Sequence, residues 1–154
     1  MGFNGSKLLG VRVTDVQTST EITRDGLAHV LGARVTDNLG NEYTYIQADG
    51  AIGQYDGVVY EVDFDVADID ADEMYWGIAQ VAIADDGAGF VLTRGAGSAN
   101  VIDATAAGSL LARVAGTGGD LAILHATGAA VGDGDAFAIS TSTVGTGIAT
   151  VLIY

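Results

Sequence analysis

Apolar and polar positions alternate in short runs along most of the chain, and the runs are broken by glycine and never by proline. Residues 31–58 show the pattern best and read as strand, turn, strand, turn. Val35 leads into Thr36, Asp37, Asn38, Leu39, Gly40 and Asn41, a polar turn with a glycine free to take positive φ. Residues 42–47, EYTYIQ, form a β-branched and aromatic run suited to a pleated surface, and Asp49-Gly50 closes it. In residues 57–66, Val62, Phe64 and Val66 fall on one face and Glu61, Asp63 and Asp65 on the other. That period of two predicts a half-buried strand whose charged face resists edge-to-edge pairing. Residues 75–84 read as a core strand, Asp85-Asp86-Gly87 as a hairpin turn, and residues 89–94 as the returning strand. Residues 98–103, 109–115, 121–126, 136–140 and 147–154 predict the rest of the sheet, the last run, GIATVLIY, being tied into the core.

The leading residues differ. Residues 8–14 could form a strand, and residues 18–21 are polar and turn-rich, but residues 1–27 offer little with which to build a core. They read as an extended N-terminal arm or a strand lent to a neighbour. The expected organisation is an arm over residues 1–27 and one compact β domain over residues 28–154. The fold class is all-β, a β-sandwich or small β-barrel, and any helix should be short. With 154 residues the chain can bury one real core, and 23 glycines fit many tight turns.

Charge sharpens the division. The net charge is −14, which argues against nucleic acid as a partner, because phosphate binding needs a basic face. Lys7, Arg12, Arg24 and Arg34 fall in the first 34 residues, beside only Asp15, Glu21 and Asp25. Arg94 and Arg113 alone offset the many acids that follow. A nearly neutral leading segment on an acidic body implies two surfaces with different tasks. Aspartate outnumbers glutamate and lysine occurs once, a composition like that of halophilic proteins, whose dense carboxylates tolerate screened repulsion at high salt. There is no cysteine, which excludes disulfides, thiolate metal sites and a cysteine nucleophile, and fits assembly in a reducing cytoplasm. No run of about 18 apolar residues exists to span a membrane as a helix, and residues 1–10 lack the apolar core of a secretory signal.

Candidate chemistry is sparse. Seven acids lie between Glu61 and Glu73, and Asp68, Asp70 and Asp72 give D-x-D-x-D. An EF-hand needs glycine and glutamate where Glu73 and Ala79 stand, so the calcium motif fails. Paired carboxylates for glycoside hydrolysis are better read as a solvated face. His29 and His125 belong to no H-E-x-x-H, and no serine lies in G-x-S-x-G. Gly95-Ala96-Gly97, Gly145-Thr146-Gly147 and the 116–120 cluster lack phosphate-loop endings and read as β-turn glycines. Tyr60, Tyr75 and Trp76 could stack on a sugar, though core or interface packing explains them as well. The expectation is a chain with no catalytic residue, no metal and no cofactor.

The string LGARVTDNLGNEYTYIQADGAI resembles a pattern of small structural proteins of tailed viruses, the capsid decoration or cement proteins. Leu31, Gly32, Gly40, Glu42, Tyr43, Tyr45, Gln47, Ala48, Gly50, Ala51 and Ile52 carry it. Residues 77–101, GIAQVAIADDGAGFVLTRGAGSANV, are also similar, with Phe90 where that family usually has an aromatic. Residues 104–111 and 147–152 extend the likeness over most of residues 31–154. The resemblance implies a virion protein bound to the outside of the major capsid protein shell as a homotrimer, bracing it. Lys7, Arg12, Arg24 and Arg34 are then the expected docking residues, toward the shell or neighbouring copies. Two other expectations stay open: a tail or head–tail connector component, and a carbohydrate-binding β-domain.

Overall fold

A computed structural model describes residues 11–59, 65–66, 75–102, 106–113, 121–123, 138–140 and 147–154. Among them are one short helix, α1 (Ser19–Asp25), and ten strands: β1 (Arg34–Thr36), β2 (Glu42–Ala48), β3 (Gly57–Val59), β4 (Asp65–Val66), β5 (Tyr75–Ala79), β6 (Ala88–Val101), β7 (Leu110–Arg113), β8 (Leu121–Ile123), β9 (Ala138–Ser140) and β10 (Gly147–Ile153). The all-β expectation holds. The strands join in one sheet, mostly antiparallel, with the path β1-β2-β6-β10-β9-β7-β8. β8 meets the end of β6 at a single parallel position, Val101 opposite Leu121, and the sheet does not close into the barrel that was one of the expectations.

β6 organises this sheet. Residues 88–92 are buried on both faces, and from Thr93 onward buried and exposed positions mix. Its first part pairs with β2, from Gln47 opposite Ala88 to Glu42 opposite Arg94, and with β5, Ile78 opposite Leu92. Its second part pairs with β10, from Gly95 opposite Ile153 to Val101 opposite Gly147. A register shift between Glu42 and Tyr43 marks the handover. The extra residue, Thr93, turns its hydroxyl to the Glu42 carbonyl at 3.2 Å. A bulge of this kind bends and twists a strand.

Gly95 makes the bend possible. Its φ is +108°, and a Cβ there would lie 2.3 Å from Asn41 Oδ1 and 2.9 Å from Asn41 Cα. Gly97, farther along, would set a Cβ 2.4 Å from Leu92 Cδ2. Both were expected in a turn; both lie inside β6, where they admit the close approach of Asn41 and of Gln80. Where β5 ends, the Gln80 amide replaces a strand: it accepts from Ser98 N at 3.1 Å and donates to Ser98 O at 3.0 Å.

Two clusters form the core. The larger joins Val35, Tyr43, Tyr45, Phe90 and Leu92 with Leu111, Ala149, Val151 and Ile153, so both portions of the sheet line it. The smaller, on the other face of β2, contains Ile46, Ala48, Ile52, Val58, Ala79, Ile83 and Val91.

The predicted 31–58 hairpin is present as β1–β2, with Val35 opposite Tyr43. The 85–87 turn is present in a wider loop, because the chain leaves the strand after Ala79 and Ile83 bridges to Ile52. Residues 98–103 are no separate strand; the described part continues β6. The 57–66 run gives β3 and β4, and its middle lies outside the described residues.

Residues 1–10 of the expected arm lie outside the described residues. From Val11 on, the leading segment rests on its own chain, with Val11, Val13 and Ile22 against the larger cluster and Val16 against the smaller. Residues 11–14 are not a strand, and 18–21, expected as a turn, open α1. The cause is a capping box: Thr18 Oγ1 accepts from Glu21 N at 3.3 Å, and Glu21 Oε2 accepts from Thr18 N at 2.8 Å. Gly26, at φ +79°, ends the helix by donating to the Ile22 carbonyl at 2.8 Å.

Candidate docking surfaces

Of the expected docking residues, Arg12, Arg24 and Arg34 are described. Lys7 lies outside the described residues. Arg24, on α1, is engaged by its own neighbour: Nη2 reaches Asp25 Oδ2 at 2.5 Å and Nε reaches Oδ1 at 3.0 Å. The Asp25 carboxylate thereby holds the guanidinium's proton more firmly than usual. Arg34 is exposed on β1, in register with Thr44. Two positions along that strand pair, Thr36 faces Glu42, whose carboxylate meets Arg94 at 3.6 Å. Arg12 borders a cleft of about 260 Å³ with Val13, Val35, Thr36 and Asp37. Arg34 thus opens β1 and Arg12 borders a cleft beside it, while the charge of Arg24 is locally offset by Asp25.

The turn beyond β1 is built on Asp37. Its Oδ1 accepts from Leu39 N at 2.8 Å and Asn41 N at 2.9 Å, and its Oδ2 from Asn41 Nδ2 at 2.8 Å. Partial desolvation pushes the carboxyl up, but the donors of Asn41, Leu39 and Gly40 together outweigh it and hold it below the usual carboxylate range. Asn41 is buried, and its Oδ1 accepts from Ala96 N at 2.8 Å. The turn is therefore fastened to β6 just past its bend.

Sequence reading did not single out Gln17. Its backbone bridges to Ala88, donating at 2.8 Å and accepting at 3.0 Å. Its Oε1 accepts from Tyr45 Oη at 2.5 Å and from Ala28 N at 2.7 Å, and its Nε2 donates to the Gly26 carbonyl at 3.2 Å. Through one side chain the segment after α1 is clasped over β2 and β6. His29 completes the packing, edge-on to Tyr45 with centroids 5.0 Å apart and 5.4 Å from Phe90. It is a packed imidazole; His125 lies outside the described residues. Burial pushes the Tyr45 phenol up, opposed by the Ala28 and His29 amides.

Exposed large apolar side chains fall in two places besides Leu39. Leu27 and Val30 flank His29 at a second cleft of about 360 Å³. Ile148, Leu152 and Tyr154 lie along β10 and just past its end. The alternation of GIATVLIY carried that signal, since large apolar residues occupy both phases. Neither cleft gathers a nucleophile, a base and convergent donors. Among the described residues no group of three or more His, Cys, Asp or Glu is placed to hold a metal ion, and no helix is long and apolar enough to cross a membrane. The D-x-D-x-D run and Tyr60 lie outside the described residues, as do the side chains of Tyr75 and Trp76.

No family model and no curated protein matches the chain. Among solved structures it is similar to the crystal structure of the N base of head fiber gp8.5 in bacteriophage phi29, with a TM-score of 0.52 at 11% sequence identity. The match covers 73% of this chain and 92% of that one. At this identity the likeness is one of fold.

Proposed function

We propose that the chain is a structural protein of a tailed-virus particle. It is a decoration protein that binds the outside of the major capsid protein shell as a trimer, braces it, and carries out no reaction. The observation that carries the reading is the shared fold with the base of a phage head fiber, over 92% of that chain. The motifs that resemble decoration proteins over most of residues 31–154 point the same way. Arg34 on β1 and Arg12 at the cleft beside it are the described cations best placed to meet an acidic partner. The carboxylate-rich body suits a particle that works in concentrated salt.

Co-sedimentation of the purified protein with undecorated shells, followed by imaging of the particles, tests the proposal. Regular density over the shell is the expected result. Density at one vertex would move the chain to the connector, and failure to associate with particles would overturn the virion role. The fiber-base match favours a second reading, a seat for an appendage on the head; there, density would project from a subset of shell positions.

A further inference from the structure

A water-facing antiparallel sheet carries polar residues at every second position. β10 does not. Ala149, Val151 and Ile153 are buried in the core, whereas the alternate positions are Ile148, Thr150 and Leu152, followed by Tyr154. Ile148, Leu152 and Tyr154 are 55%, 41% and 63% exposed. On the β6 side, exposed Ala96 extends the strip. Leu152 stands opposite Ala96 of β6 on one side and Ile139 of β9 on the other, and Ile139 stands opposite Leu110 of β7. Thr150 is opposite Ser98 and Ile148 opposite Asn100. None of these register positions holds a charged residue, but Asn100 donates to the Asp56 carboxylate at 2.7 Å beside Ile148, so the uncharged part of the strip runs from Thr150 through Leu152.

We propose that this face is where a second copy of the chain packs. Charge selects the occupant. Each copy carries −14, so two copies repel over most of their surfaces, and the cost is least where neither side presents a carboxylate. A cationic partner would be drawn to the acidic surfaces and gain nothing electrostatic from an uncharged strip. Apolar residues of neighbouring copies gathered around a three-fold axis satisfy both conditions. The inference rests on the self-association in the reading above and names its surface.

Sedimentation velocity of the full chain at micromolar concentration, in high and low salt, tests it, with particle co-sedimentation run beside it. The wild type sediments as an oligomer that loosens as salt is removed. The pair Ile148→Asp and Leu152→Asp weakens association by at least about tenfold, with an unchanged circular dichroism spectrum. Should that pair fail to fold, Leu152→Gln alone weakens association in the same direction. A monomeric wild type in high salt, or an Asp pair with wild-type mass, overturns the inference. A monomeric wild type whose Asp pair no longer binds shells would assign the face to the shell protein, leaving the capsid reading intact. An oligomer dispersed by the Asp pair but indifferent to particles would sustain this inference and end the capsid reading.

Discussion

Replacing Asn41 by alanine tests the junction between the β1–β2 turn and the bend of β6. The substitution deletes the bond from Nδ2 to the Asp37 carboxylate and the bond from Ala96 N to Oδ1, each 2.8 Å long. A bond to a charged acceptor contributes about 1.5–3 kcal/mol and a neutral one about 1 kcal/mol. Ala96 is exposed, so water can recover part of the second loss. The expected destabilisation is about 2–3 kcal/mol, or about 5–10 °C in Tm for a domain of this size. Urea unfolding at neutral pH, with m unchanged, measures it. A loss below about 0.5 kcal/mol, ordinary for a surface substitution, would refute the claim that this amide fastens the bend. Asn41→Asp gives an independent check. It keeps the acceptor for Ala96 but sets a second carboxylate against Asp37. Shared proximity raises the folded pKa of the pair, so the deficit is largest at neutral pH and narrows as pH falls.

Three further outcomes follow from the same geometry. Gly95→Ala combines a φ of +108° with a Cβ 2.3 Å from Asn41 Oδ1, whereas Gly108→Ala has a φ of +91° and no atom within 4 Å. Backbone strain alone costs about 1–3 kcal/mol, so Gly95→Ala should lower the urea midpoint clearly more than Gly108→Ala, and equal losses would count against the packing argument. The folded Asp37 carboxyl lies below its ordinary value, so its contribution is present above about pH 4 and is lost as pH falls through the folded value. The gap in Tm between wild type and Asp37→Asn should therefore close in acid; a gap independent of pH would show that the carboxylate's charge is not what matters. Tm should also rise with added sodium chloride, as screening weakens the repulsion of a chain at −14; a flat or falling trend would remove the high-salt reading.

The strands legible in sequence were those whose cause is local. Glu42–Ala48 has the β-branched and aromatic alternation of a strand and a turn-forming Asp37–Gly40 before it, and both appear where expected. α1 was missed although T-S-T-E spells its capping box, because seven residues with two threonines and an isoleucine show no helical stripe. The length of β6 was missed for a different reason. Gly95 and Gly97 look like breakers until their neighbours are known, and Asn41 and Gln80 are brought there by the fold. The docking set was chosen from where cations cluster along the chain. Composition does not display that Asp25 turns onto Arg24 or that Arg94 pairs with Glu42, because both contacts arise from the folded chain. The apolar strip on β10 was visible as alternation, but which phase meets water is decided only by the partners of Val151 and Ile153.

A single strand of 14 residues serves as the spine of both portions of the sheet. Neither portion has a seam along which it can be shed whole. Stripping β10 away uncovers one flank of β6 and opens the core that Tyr45 and Phe90 share with Val151. Amide protons in β2 and in β10 should therefore trade with solvent through the same rare opening, however far apart the two strands lie in the chain.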